Sequence, residues 1–386
     1  MTTPVTVPNA AGANPLKGLL EYGQSPWMDY IRRDLLTGGG LKKMIDGDGL
    51  RGMTSNPAIF EKAIVGSELY SDILKSPEAK SLDAKSLYER IAIRDVQDAC
   101  DIFKPVYQST RRRDGYVSLE VSPYLAHETK ATLDEARRLW KAVGRENLMI
   151  KVPGTPEGIP AIRQLLEDGL NINITLLFAQ SAYEQVAEAY LAALEARTLK
   201  GLDVSHCASV ASFFVSRIDT LVDSKVEEQL KGATGSKRDL LSSVEGKVAI
   251  ANAKLTYKKY QELFGSPRWK ALAAKGAQTQ RLLWASTSTK NPKYRDVLYV
   301  EELIGADTVD TIPPATFDAF REHGKLRASL TEDVPGAAKT MDNLEKAGIS
   351  MKEVTQKLLE DGVKLFAEAF KTLLDATGKS AGVHQA

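Results

Sequence analysis

The chain has 386 residues, 43% of them apolar, and a formal net charge of +1 with a pI near 7.7. That is enough apolar sequence for one large α/β domain or two ordinary ones. The balanced charge lacks the basic footprint of a nucleic-acid binder or of a protein drawn to an anionic membrane surface.

The first stretch, MTTPVTVPNAAGANP, has neither a basic n-region nor an apolar h-region and reads as a flexible tail over residues 1–15. No later run is long and apolar enough for a membrane span. Short β-rich runs then recur, each followed by a longer stretch of helical period: SPWMDYI from Ser25, LRGMTS from Leu50, GYVSLEVS from Gly115 and NLMIKVP from Asn147. Four more follow, NINITLLF from Asn171, CASVASFFV from Cys207, RLLWAS from Arg281 and DTVDTIP from Asp307. Eight strands with helical links predict a parallel sheet closed into a (β/α)8 barrel of the α/β class. An open doubly wound sheet is the rival, but no GxGxxG follows the first strand. Two links are longer than a crossover needs, near 58–114 and 220–280. Both carry helical patterns, such as Leu87, Ile91, Val96 and Ile102, and read as helical insertions on a single barrel spanning 16–375. Within the second, KGATGSKRD from Lys231 reads as flexible. The basic run Arg111–Arg113 reads as a solvated turn, and residues 376–386 as a fraying tail.

Cys100 and Cys207 lie far apart without CxxC spacing, which argues for reduced thiols in a cytoplasmic protein. His127, His206, His323 and His384 show neither HxH nor HExxH spacing, so no metal site is expected.

Lys151 is the anomaly. It ends an apolar run, LMIKVP, where a lysine needs a reason. It could be the first solvated residue past the strand, with its stem on apolar surface, or half of a structural ion pair. It could instead be a desolvated amine, which attacks carbonyl carbons and forms Schiff bases. Other polar residues also cluster at strand ends: Asp29, Thr54, Ser55 and Asn56, Glu120, Asn173 and Thr175, Ser212, Ser286 and Ser288. In a parallel barrel these ends share one face, where such residues read as catalytic. Strand alternation sends Asn173 and Thr175 the same way.

The motifs GMTSNPAIF, VSLEVSP, IKVPGTPEGI, NINITLLF, ASFFVSRID and WASTSTKNPKY, in this order, resemble the transaldolase family over nearly the whole barrel. The long insertions and the WASTSTKNP segment look most like its large bacterial subgroup. The resemblance implies transfer of a dihydroxyacetone unit from sedoheptulose 7-phosphate or fructose 6-phosphate. The acceptor would be an aldose phosphate such as glyceraldehyde 3-phosphate or erythrose 4-phosphate, within the non-oxidative pentose phosphate pathway. Lys151 would then be the Schiff-base lysine, Asp29 would handle the donor hydroxyl proton, and Glu120 with Thr175 would hold a relay water. Asn56 and Asn173 would bond the hydroxyls of the three-carbon unit, with Thr54, Ser212 and Phe214 lining the site. Arg217 and Ser286 would hold the phosphate. Many family members place an arginine where Ser288 stands, so Lys290 is the substitute second cation, a solvated loop lysine being the alternative.

An iminium at C2 accepts the electron pair left when C3–C4 breaks, so the chemistry calls for a lysine and for no metal or cofactor. The implied partners are phosphorylated ketoses and aldoses, with no nucleic acid and no membrane; the sequence does not fix an oligomeric state. Two rivals stand beside transfer. One is a fructose 6-phosphate aldolase, although related aldolases tend to carry glutamine where Glu120 stands and tyrosine where Phe214 stands. The other is a non-catalytic phosphosugar-binding barrel, against which Lys151, Asp29 and Glu120 count as a set.

Overall fold

The computed structural model of the chain describes residues 14–381 except Gly66. Eight parallel strands pair in chain order and close on themselves: β1 (Gln24–Asp29), β2 (Gly52–Thr54), β3 (Tyr116–Glu120), β4 (Leu148–Pro153), β5 (Ile172–Leu177), β6 (Ser209–Phe214), β7 (Arg281–Ala285) and β8 (Thr308–Ile312). The fold is a (β/α)8 barrel, as the alternation of runs predicts. β4, β5 and β6 are buried along their whole length, which is why they read as near-continuous apolar runs. Helices Thr129–Val143, Gly158–Asp168 and Gln180–Leu199 form part of the outer ring.

The N-terminal end of the barrel is plugged by side chains. Trp27 on β1 faces Gly52 on β2, and a Cβ at Gly52 would lie 2.4 Å from Trp27 Cε2, so only glycine leaves room for the indole. Beside it Arg281 donates to Asp114 (2.8 Å), to Ser25 Oγ (2.8 Å) and to the Arg113 carbonyl (2.6 Å). This ion pair is buried, and removing one partner leaves the other charge uncompensated. Arg281→Met should therefore cost about 3–5 kcal/mol of stability, read from urea midpoints. A loss below about 1 kcal/mol would mean that water reaches Asp114.

The two long links hold helices and, among their described residues, no strand. Between β2 and β3 run Pro57–Ile64 and Ala84–Ser109 with shorter turns between them. Between β6 and β7 run Ser216–Leu230, Gly235–Val244, Val248–Phe264 and Pro267–Ala273. Residues 235–239, within the stretch that reads as flexible, open a helix. Arg113 is also not a solvated turn residue. It pairs with Asp307, and burial pulls its pKa down to about 10, while Arg111 and Arg112 take left-handed backbone (φ 52° and 66°) to turn the chain there.

The expected tails are shorter where they can be described. Asn14 caps the helical turn Pro15–Gly18 through a bond to the Leu16 amide. Residues 376–381 continue the C-terminal helix Met351–Ala381, with Thr377 buried and bonded to the Leu373 carbonyl. Residues 1–13 and 382–386 lie outside the described residues. The C-terminal helix packs on Pro57–Ile64 and Ala84–Ser109 and touches β5. Phe370 anchors it, meeting Tyr88 and Tyr124 edge-on with centroids 5.6 and 5.4 Å away. Among the described residues no helix is long and apolar enough to cross a membrane.

Candidate active site

A cavity of about 550 Å³ opens at the C-terminal ends of the strands. The arrangement of side chains at and beneath it follows from strand register. Glu120 on β3, Lys151 on β4 and Asn173 on β5 are successive partners across three neighbouring strands, and Asp29 on β1 faces Thr54 on β2. Lys151 is only 5% exposed. Its Nζ donates to the Ser55 carbonyl (3.2 Å) and lies 3.4 Å from Glu120 Oε2. Neither carboxyl oxygen of Glu120 makes a hydrogen bond of good geometry, so the contact with Lys151 is an ion pair rather than an aligned bond. Burial raises the Glu120 pKa to about 7, against the opposing pull of Lys151.

Asp29 keeps part of its surface open to the cavity. Thr54 Oγ1 donates to it (2.7 Å) and in turn accepts from Thr311 Oγ1 (2.6 Å). Desolvation raises the Asp29 pKa; Lys151, then Thr54, Arg217 and Lys290 counter that rise. The two carboxyls are therefore both desolvated, but Asp29 has a donor and Glu120 has none. Groups with such different surroundings suit different proton roles.

β5 breaks its register between Ile174 and Leu177, and Leu176 takes a left-handed backbone (φ 61°) that non-glycine residues seldom adopt. A bulge re-aims the side chains beside it. Thr175, on this bulge, lines the cavity, is fully buried and has an unpartnered hydroxyl. Asn173 is pinned: Oδ1 accepts from Ser212 Oγ (2.7 Å) and Nδ2 donates to Ser118 Oγ (3.0 Å). Asn56 caps the helix Pro57–Ile64 through the Ile59 amide (3.0 Å), which fixes it on the cavity wall.

Farther out lie Arg217, Ser286, Ser288 and Lys290. Ser286 has φ 57° and shares a hydroxyl contact with Ser216 (3.0 Å). Arg217 stands 5.4 Å over the Phe214 ring, and its pKa is lowered by desolvation. Although much of Lys290 is exposed, its Nζ reaches Ser288 Oγ (2.5 Å) at the cavity wall. Desolvation there, then the charges of Arg217 and Lys62, lower its pKa.

Every residue expected in the site except Glu120 and Asn173 lines this cavity directly. Glu120 instead lines a pocket of about 10 Å³ beside Tyr88 and Glu135, close to the least volume that holds one water. Among the lining residues that were not foreseen are Lys62 and Phe366. Lys62 comes from the helix that Asn56 caps; an asparagine followed by proline signals that helix, and Lys62 lies in its last turn. Phe366 comes from the C-terminal helix, far along the chain, where no local pattern separates it from a core phenylalanine. Among the described residues no group of three or more His, Cys, Asp and Glu side chains could hold a metal ion.

A buried lysine, two desolvated carboxyls and an outer ring of cations on the C-terminal face of a (β/α)8 barrel define a class of site built for carbonyl chemistry on a small anionic substrate. The sequence model for the family described as Transaldolase/Fructose-6-phosphate aldolase matches residues 26–377, and the chain belongs to that family. It is 47% identical over 366 residues to a transaldolase of Trichodesmium erythraeum, covering 94% of this chain and 96% of that one. It is 47% identical over 367 residues to transaldolase 2 of Nostoc punctiforme, again with 94% and 96% covered. It is 44% identical over 365 residues to a transaldolase of Thiobacillus denitrificans, with 95% and 100% covered.

Proposed function

We propose that the chain is a transaldolase of the non-oxidative pentose phosphate pathway, moving a dihydroxyacetone unit between phosphorylated sugars through a Schiff base on Lys151. The observation that carries this reading is the buried Nζ of Lys151, 3.4 Å from a carboxyl that has no other polar partner. The amine attacks C2 of sedoheptulose 7-phosphate or fructose 6-phosphate. Glu120 and Thr175, whose three side-chain oxygens make no hydrogen bond within the protein, hold the water that moves protons as the carbinolamine becomes an iminium. Asp29 takes the C4 hydroxyl proton, C3–C4 breaks, and the electron pair rests in the enamine. Asn56 and the second amide hydrogen of Asn173 bind the hydroxyls of the retained unit, with Thr54, Ser212 and Phe214 around it. An aldose phosphate then adds and the steps reverse.

Borohydride reduction in the presence of fructose 6-phosphate tests this reading. A three-carbon adduct should map to Lys151 alone; an adduct on Lys62 or Lys290 would move the site.

Arg217, Ser286 and Lys290 hold the phosphate, remote from the reacting carbons, where binding can be used to orient them. Arg217→Ala should reduce kcat/KM for phosphorylated donors by about 2–4 kcal/mol and leave unphosphorylated fructose nearly unaffected. Lys290→Ala should show the same selectivity with a smaller loss, because its outer surface is in solvent. Equal activity of the Lys290 variant on both donor types would return that side chain to the solvated loop.

A further inference from the structure

The C-terminal helix brings its own side chain to the reacting nitrogen. Phe366 is buried, lines the cavity, and has its ring centroid 5.9 Å from Lys151 Nζ. Lys151 thus has Glu120 and the Ser55 carbonyl as polar neighbours and an aromatic ring as an apolar one. The helix reaches this position because Gly362, one turn earlier, lets it approach the bulge of β5: a Cβ at Gly362 would lie 2.9 Å from Leu176 Cδ2. A glycine inside a helix costs about 1 kcal/mol relative to alanine, and close approach accounts for it here. Phe370, one turn beyond Phe366, is locked between Tyr88 and Tyr124. The ring over Lys151 is therefore held from both sides along its helix.

We infer that Phe366 is a positioning residue that decides whether the three-carbon unit on Lys151 is transferred or released as free dihydroxyacetone. The inference rests on the Schiff-base reading of Lys151. After cleavage the enamine carbon has two possible electrophiles. An aldehyde carbon gives transfer. A proton from solvent water on the enamine carbon gives instead the iminium of dihydroxyacetone; water then adds at C2, the C–N bond breaks, and dihydroxyacetone leaves with Lys151 restored as its amine. An apolar roof over the nitrogen keeps bulk water, the proton source, from the enamine and leaves the aldehyde as its partner. The ring face also steadies the cationic iminium that precedes cleavage.

The test is a graded series, Phe366→Leu, Phe366→Val and Phe366→Ala, given fructose 6-phosphate and erythrose 4-phosphate in D₂O. The readouts are dihydroxyacetone released per heptulose phosphate formed and the deuterium carried by the released dihydroxyacetone. In the variants that keep the wild-type melting temperature, the ratio should rise in that order. It should reach about tenfold for alanine, equivalent to about 1.4 kcal/mol between the two competing barriers. A ratio that stays flat across the folded variants while total turnover falls would make Phe366 a merely structural residue and overturn the inference. Borohydride trapping on the same proteins separates the two claims. No Lys151 adduct in the wild type would sink the Schiff-base reading itself, whereas an adduct in all variants with an unchanged ratio would sink only the role of Phe366.

Discussion

Lys151→Arg is expected to abolish transfer, by a factor on the order of 10⁴ or more, as when a covalent nucleophile is removed. The substitution is chosen to separate chemistry from electrostatics. Glu120 is buried with the Lys151 ammonium as its ion partner, and an uncharged replacement would strand it. Arginine keeps the positive charge, yet its guanidinium does not deprotonate in proteins and forms no imine. Borohydride should therefore trap nothing on the variant, while its melting temperature stays within a few degrees of the wild type. Lys151→Ala should lose activity equally and in addition lose stability, because the Glu120 carboxylate then has no compensating charge. Turnover by the arginine variant within about a hundredfold of the wild type would show that Lys151 acts as a fixed cation, and the Schiff-base reading would fail.

How much of this was legible in the sequence varies with the range over which each feature is encoded. The eight strands are local features, and each run was found with its ends within a residue or two; the run from Ser25, for instance, overshoots Asp29 by Tyr30 and Ile31. Closure into a barrel follows from the count and from the helical links. The clustering of Asp29, Lys151, Thr175 and Arg217 around one cavity was also legible, because parallel strands put all their C-terminal ends on one face. Less legible was anything set by backbone detail or by distant packing. The bulge at Leu176 has no glycine to announce it. The second-layer positions of Glu120 and Asn173 depend on which way each strand end turns. Phe366 reaches Lys151 only because a helix outside the barrel crosses its mouth. The helical start at Gly235 was obscured by glycines and charges that usually mark loops, and the Arg113–Asp307 pair links segments that no local pattern joins.

The two carboxyls should fail in different steps, each with a large loss. Asp29→Asn keeps a side chain that can still bond Thr54 but cannot take the C4 hydroxyl proton. Imine formation, followed by single-turnover trapping, should survive while cleavage slows by about 10²–10⁴-fold, the range for a lost general base. Glu120→Gln should invert this pattern, slowing imine formation and hydrolysis through loss of the group that moves protons through the relay water. Its pH signature is the sharper reading. With burial holding the Glu120 pKa at about 7, the carboxylate that accepts protons is depleted below that pH, so imine formation should rise through neutrality in the wild type and lose that rise in the glutamine variant. Stability carries the same signature with a defined sign. A carboxyl whose folded pKa is raised holds a proton in the native state that the unfolded chain has given up, so wild-type stability falls as pH climbs from its ordinary range near 4.5 to about 7. Glutamine cannot ionise, and the variant should be spared that part of the fall, on the order of 3 kcal/mol between pH 4 and 8. Because Glu120→Gln also deprives Lys151 of its ion partner, the slope of stability against pH is the quantity to compare, by urea midpoints at each pH. Identical slopes for the two proteins would mean that Glu120 titrates in the folded protein as it does in the unfolded chain, and the division of labour between the carboxyls would have to be redrawn.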